Sequence, residues 1–181
     1  MTDPAQERTI VLETLGGATN QLKKNINPLL IPPEGVSFGY AIRGARDRGG
    51  IAAVQGRITL PREGSASGGE PCSFGSDDGI ARIILTAMKF NPRVRSAACL
   101  AYSPRAKVVL SENLFLETAS SDGAGQPGTS SMDWGIASCC KRGVPDVIFF
   151  LERDPSGSRI IIFGEEPADV LNNIIMCSNR I

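Results

Sequence analysis

The spacing of apolar positions predicts helices in four stretches of the chain. The clearest stripe, at positions i, i+3, i+4, i+7 and i+8, predicts a helix over residues 77–90, which Asn91-Pro92 ends. Residues 4–26 also have helical spacing, but Gly16-Gly17 interrupts it, so the pattern allows two short helices there. The other two predicted helices lie within residues 131–143 and 166–177.

Alternating or β-branched runs predict strands between these helices. They are VSFGYAIR (36–43), IAAVQGRITL (51–60), RSAACLAY (95–102), AKVVLSENLFLE (106–117), PDVIFFLE (145–152) and SRIIIFG (158–164). The last two, joined by RDPSG, predict a hairpin, and Gly56 predicts a bulge in the second run. We interpret the Gly/Ser-rich residues 61–71 as a surface loop. Helices that alternate with strands and a hairpin predict one α/β domain over residues 1–181, with a mixed sheet covered by helices.

Charge and cysteine content exclude several classes of protein. Lys+Arg and Asp+Glu both number 19, so no positive excess attracts nucleic acid or an anionic membrane surface. No apolar run approaches the roughly 20 residues of a membrane span. The five cysteines are odd in number and irregularly spaced, which favours reduced thiols in a cytoplasmic protein. Without histidine or a thiolate cluster, we expect no structural zinc and assign no metal ligands.

The absence of histidine also removes the common catalytic triads and the usual general base. What remains is a set of loops with the composition of a phosphate-ester site. Arg46 and Arg57 lie in glycine-containing loops, and three hydroxyls, Thr129, Ser130 and Ser131, precede a helix. Each signal has a simpler alternative, because serines before a helix commonly cap it and Arg46 has Asp47 beside it.

Several of these segments together resemble one known family. GYAIRGARDRGGIAAVQGRI, FGSDDGIARIILTAMKFNPRVRSA, GTSSMDWG, VPDVIFFL and IIIFGEEPADVL, in this order, resemble the ThiN-type thiamine-phosphate synthase domain, found mainly in archaea. The resemblance covers roughly residues 5–178. It implies a three-layer α/β/α domain with a mixed, mostly antiparallel sheet, similar to class II aldolases.

The resemblance also implies a chemistry. The family joins hydroxymethylpyrimidine diphosphate to thiazole phosphate, which gives thiamine phosphate and pyrophosphate. Such a site holds two phosphorylated groups and neutralises the leaving charge, commonly with the help of Mg²⁺. Carried over residue by residue, the resemblance implies a clamp for the leaving diphosphate at Arg57 and substrate contacts at Arg46, Asp47, Asp122, Asp133 and Trp134.

Two departures from the family pattern decide which function we expect. The family's active form has a histidine at the position of Gly79, and an arginine in a later loop where this chain has Gly123. We therefore expect a protein that binds thiamine phosphate, or its pyrimidine and thiazole phosphate precursors, with weak or lost synthase activity. The alternatives are an active stand-alone synthase and an aldolase-like protein that binds another sugar phosphate. The sequence leaves open whether the protein forms a homodimer.

The start of the central helix carries a question of its own, because Asp77 and Asp78 stand where a phosphate would bind the free N–H groups. Three interpretations remain open from the sequence. The two carboxylates cap the helix, or one of them holds Mg²⁺ for a diphosphate, or this helix start has no part in ligand binding.

Overall fold

The computed structural model describes residues 3–59, 66–120 and 131–181. Within these ranges the chain forms five α-helices and seven β-strands. The helices are α1 (Pro4–Asn25), α2 (Asp78–Phe90), α3 (Pro104–Leu110), α4 (Ser131–Cys139) and α5 (Pro167–Arg180). The strands are β1 (Ser37–Ala41), β2 (Ile51–Thr59), β3 (Ser67–Phe74), β4 (Ser96–Ala101), β5 (Leu116–Ser120), β6 (Val147–Leu151) and β7 (Arg159–Gly164).

The strands form one mixed sheet in the order β3-β2-β1-β4-β7-β6-β5. Among these described strands only the β5–β6 pair is parallel, and the other neighbours are antiparallel. Alternate residues point to opposite faces, so Phe38 and Tyr40 of β1 pack beneath α1, α3 and α5, whereas Ala41 packs beneath α2 and α4. The predicted α/β fold with a mixed, mostly antiparallel sheet is confirmed.

Helix α2 forms as its sequence predicts. All five residues of the apolar stripe are buried against the sheet, and the helix ends at Phe90, before Asn91. The predicted β6–β7 hairpin and the last helix are also present, and Pro167 occupies the first position of α5. Cys139 and Cys140 are buried between α4 and the sheet, and all five cysteines are free thiols.

The possible break in the first helix does not occur. Helix α1 continues through Gly16 and Gly17, although each glycine costs a helix interior about 1 kcal/mol relative to alanine. Val11, Leu15 and Leu22 lie on one face of α1 and are almost completely buried in the core. Packing of this face against the sheet therefore outweighs the local preference.

Two strand and loop predictions are wrong. Residues 67–71 were expected within a surface loop, but they belong to β3, which gains backbone hydrogen bonds from β2 and accommodates Pro71 because it is an edge strand. The predicted strand over 106–117 contains helix α3 instead, and β5 begins only at Leu116. Ala106, Val109 and Leu110 have the i, i+3, i+4 spacing of a helix and are buried beside α5.

The sheet topology gathers several chain segments at one end. Strand β2 ends there, β1 and β7 begin there, and β5 and β6 also end there, as the strand directions require. We call this the site end of the sheet.

In the described ranges, every helix is too short or too polar to cross a membrane.

The contact between α4 and β6 gives a stability prediction. A Cβ on Gly135 would lie 2.8 Å from Cε2 of the buried Phe150 ring, so Gly135→Ala forces the helix away from the sheet. We expect Gly135→Ala to lower the free energy of unfolding by about 1–3 kcal/mol. The control Gly17→Ala has open space around the new methyl group and should raise stability by about 0.5–1 kcal/mol.

Urea denaturation of both variants measures these changes. Equal or greater stability of Gly135→Ala than of the wild type would contradict the packing described for α4.

Candidate functional site

A cleft of about 470 Å³ opens at the site end, between the last residues of β2 and the first residues of α2. It is lined by Glu34, Val54, Gly56, Arg57, Ser76, Asp77, Asp78 and Gly79. A second pocket of about 240 Å³ shares Glu34, Arg57 and Gly79 with the cleft and also contacts Cys99 and Arg159. The two pockets therefore meet along Arg57 and Gly79.

The backbone of Arg57 has a conformation that few side-chain-bearing residues adopt. Its φ is 60°, and Gly56 before it has φ 72°, within the bulge that shifts the register of β2 against β3. For a residue with a Cβ such a conformation costs on the order of 1–2 kcal/mol. It is held by close neighbours, since a Cβ on Gly35 would lie 2.9 Å from the Arg57 Cβ and one on Gly68 would lie 2.7 Å from the Arg57 carbonyl oxygen.

The Asp77 carboxylate serves two neighbours at once. Its Oδ1 accepts hydrogen bonds from the backbone N–H groups of Gly79 (3.0 Å) and Ile80 (3.3 Å), which makes Asp77 the N-cap of α2. Its Oδ2 lies 3.6 Å from Nε of Arg57. Only 7% of the Asp77 side chain is exposed, whereas 38% of the Arg57 side chain is exposed. The carboxylate thus closes the helix start and faces the arginine.

Two further ion pairs border the cleft. The Nη1 atom of Arg48 donates to Oδ1 of Asp78 at 2.6 Å, which ties the loop before β2 to the start of α2. Arg159 donates from Nε and Nη2 to the two oxygens of Glu34, each at 2.8 Å. Each acid at the cleft therefore faces an arginine.

The Arg57 guanidinium retains binding capacity in this arrangement. Nε faces Asp77, but within the described part of the chain the two terminal Nη atoms make no hydrogen bond or ion pair. The Nη2 and Nη1 groups of one arginine can hold a phosphoryl group, because the planar fork matches two phosphate oxygens. Arg57 is thus the cation at this cleft with donors available for an anion.

The described residues do not fit a resident Mg²⁺ ion. Both Asp77 oxygens are engaged, Asp78 is paired with Arg48, and residues 3–59, 66–120 and 131–181 contain no group of three acidic, histidine or cysteine side chains placed for a metal. Of the three interpretations of the helix start, the geometry agrees with the cap.

Two small residues, Gly79 in both pockets and Cys99 in the second pocket, limit the chemistry of the site. Gly79, the position of the family histidine, lines both pockets, and a Cβ there would lie 3.4 Å from the Asp77 Oδ1, an ordinary contact. There is room for a side chain that this protein lacks. Burial raises the pKa of the Cys99 thiol to about 11, so Cys99 is neutral at pH 7 and is not a nucleophile.

Helix α4 begins beside α2. Nη2 of Arg82, one turn into α2, lies 3.1 Å from Oδ2 of Asp133 in the first turn of α4. Asp133, predicted as a substrate contact, is thus engaged between the helices. Trp134 follows with 38% of its surface exposed, so it is not a buried packing residue. Ser131 is the first residue of α4.

Other predicted site residues lie elsewhere or outside the described ranges. Arg46 and Asp47 are exposed and do not line the cleft, and Asp47 accepts a hydrogen bond from the Gly49 N–H (2.9 Å) as a local cap. Asp122, Thr129 and Ser130 fall within residues 121–130, which the structure does not describe. Their roles stay predictions.

The sequence reading missed Glu34, Arg48 and Arg159. Arg159 has 14% of its side chain exposed, and its Nη1 donates to the carbonyls of Ser156 (2.7 Å) and Ser158 (2.8 Å), so it also fixes the turn between β6 and β7. Glu34 and Arg159 are 125 positions apart, and no local pattern signals their contact. Beside Glu34, Gly35 has φ 96°, a conformation that favours glycine.

Comparisons with known proteins bear on this site. The sequence model of the family described as thiamine-phosphate synthase ThiN matches residues 14–176. The chain is 29% identical over 166 residues to the bifunctional thiamine biosynthesis protein ThiDN of Methanocaldococcus jannaschii. That alignment covers 91% of this chain and 39% of the relative, so the chain spans well under half the length of the curated protein that it matches.

Solved structures give the same picture at the level of the fold. The C-terminal domain of a phosphomethylpyrimidine kinase superposes with a TM-score of 0.84 at 28% identity, covering 94% of this chain and all of that chain. An L-fuculose 1-phosphate aldolase from Glaciozyma antarctica superposes with a TM-score of 0.54 at 14% identity, covering 99% of this chain and 74% of the aldolase. At that identity the aldolase shows a shared fold and nothing more.

Proposed function

This chain belongs to the thiamine-phosphate synthase ThiN family, and we propose that it binds thiamine phosphate in the cleft at Arg57, with weak or lost synthase activity. The family match supports the ligand class, and the cleft supplies a place for one phosphoryl group. The relative from Methanocaldococcus jannaschii is named as a thiamine biosynthesis protein, which supports the same pathway for this chain.

The observation that carries the proposal is the pair of Nη atoms on Arg57, which have no partner among the described residues and lie at a cleft of about 470 Å³. Thiamine phosphate presents a terminal phosphate with two or more free oxygens, which suits a bidentate contact with a guanidinium. The pocket shared by Arg57, Gly79, Ile80 and Ile83 extends the cleft with apolar surface for a ring.

The start of α2 supports the proposal of weak or lost synthesis. Synthesis requires a diphosphate to leave while its charge is neutralised. Here the N–H groups of Gly79 and Ile80 are already satisfied by Asp77, and Gly79 offers no side chain for proton transfer.

A binding experiment tests the proposal. Isothermal titration of the wild type with thiamine phosphate should give a saturable signal that Arg57→Gln weakens at least tenfold, since a charge-assisted bidentate contact contributes about 1.5–3 kcal/mol. Arg105 on α3 lies on the other face of the sheet and is exposed, so Arg105→Gln is the matched control and should bind as the wild type does.

No binding by the wild type, or equal binding by Arg57→Gln and the wild type, would reject this site. Both variants should be compared by thermal melting, so that a loss of fold is not read as a loss of binding.

The enzymatic part of the proposal has its own test at Gly79. We expect Gly79→His to raise the rate of thiamine phosphate formation from hydroxymethylpyrimidine diphosphate and thiazole phosphate with Mg²⁺ by about 10²-fold or more, because a general acid or base contributes that much. A Cβ at position 79 would make an ordinary contact of 3.4 Å with Asp77 Oδ1, and position 79 lines both pockets. Oxidation of the product to a fluorescent derivative measures the rate.

Gly17→His adds the same side chain to an open position on α1, away from the cleft, and should leave the rate unchanged. A wild type that already forms product at a rate which Gly79→His does not increase would instead support the active stand-alone synthase.

Binding of another sugar phosphate is supported only by the aldolase-like fold, and no contact described in this cleft favours it over thiamine phosphate.

A further inference from the structure

We propose that Asp77 makes this cleft selective for phosphomonoesters over diphosphates. The inference rests on the proposed function, because it concerns the same cleft and the same arginine. Asp77 would act as a fixed internal anion beside the phosphate position. The protein would then retain thiamine phosphate and discriminate against thiamine diphosphate and other diphosphate esters.

The Asp77 carboxylate is not free to move away from an incoming anion. Its Oδ1 is held by the N–H groups of Gly79 and Ile80, and rotation of the side chain would leave both donors without their cap. The side chain is 7% exposed, so water screens its charge poorly. The cap therefore keeps the negative charge at the start of α2, where it lies 3.6 Å from the Arg57 Nε.

The binding capacity of Arg57 matches a single phosphoryl group. Its Nε side faces Asp77, and its two Nη atoms remain available within the described residues. A phosphate held by one N–H of each Nη atom leaves no second unopposed pair of donors on Arg57, because the other edge pair of the guanidinium includes the Nε that faces Asp77. The N–H groups at the start of α2 that could hold a second one are occupied by Asp77.

The other charged groups at the cleft do not compensate. Arg159 is held by Glu34 and by two carbonyls of the β6–β7 turn, and Arg48, which donates to Asp78 through Nη1, does not line the cleft. A second phosphoryl group would bring additional negative charge into a cleft where Asp77, Asp78 and Glu34 already offset these arginines. Coulomb repulsion from a poorly screened carboxylate makes that arrangement unfavourable.

The experiment compares four ligands on three proteins by isothermal titration: thiamine phosphate, thiamine diphosphate, inorganic phosphate and pyrophosphate. We expect the wild type to bind thiamine phosphate at least tenfold more tightly than thiamine diphosphate. Asp77→Asn keeps an oxygen for the helix cap but removes the charge, so the preference should fall about tenfold. The control Asp3→Asn makes the same change at the N-cap of α1, a residue that lines neither pocket, and should change the preference less than twofold.

The outcomes separate this inference from the proposed function. If the wild type binds thiamine phosphate but Asp77→Asn keeps the full preference, Asp77 does not set selectivity and the proposed function stands. A wild type that prefers thiamine diphosphate overturns the inference as well.

If neither thiamine ester binds, the proposed function fails. The affinities for phosphate and pyrophosphate then test the inference by the same comparison, in which the wild type should prefer phosphate and Asp77→Asn should lose that preference. Absence of binding by all four ligands overturns both.

Discussion

The contact between the Asp77 carboxylate and its two neighbours determines how this cleft is built. One oxygen closes the N-terminus of α2, and the other faces Arg57 on a different element of the fold. The cap fixes where α2 begins and so places Gly79 at the cleft wall. The same carboxylate limits how much anion the cleft can hold. Helix stability and ligand selectivity are therefore coupled through one side chain.

Arg57 contributes the complementary constraint. Its left-handed backbone conformation stores strain, and the bulge with Gly56 and the close approach of Gly35 and Gly68 sustain it. The pairing of Arg48 with Asp78 and of Arg159 with Glu34 then surrounds this arginine with pairs that neutralise each other. The glycine at position 79 and the carboxylate at the start of α2 both support the proposed role in binding.

The sequence predicted those parts of the fold that local pattern determines. The stripe of α2 and the β6–β7 hairpin each depend on one continuous stretch of sequence. The edge strand β3 was missed because its stability comes from pairing with β2, and a Gly/Ser-rich composition conceals it. Helix α3 was missed because its short run of β-branched residues also suits a strand.

The site was predictable to a smaller extent. The sequence named Arg57, Asp77 and the position of Gly79, but it could not show that Asp77 and Arg57 meet or that Glu34 reaches Arg159 across 125 positions. Such contacts arise only when the strands assemble at one end of the sheet. The left-handed conformation of Arg57 also depends on close neighbours from β3 and from the connector before β1, which no local motif reveals.

A crystal structure of the protein with thiamine phosphate tests the central claim most directly. The account predicts the phosphate on the Nη atoms of Arg57, within hydrogen-bond distance, while Asp77 continues to cap α2. A phosphate bound at the N–H groups of Gly79 and Ile80, with Asp77 displaced, or a ligand bound away from Arg57, would contradict it.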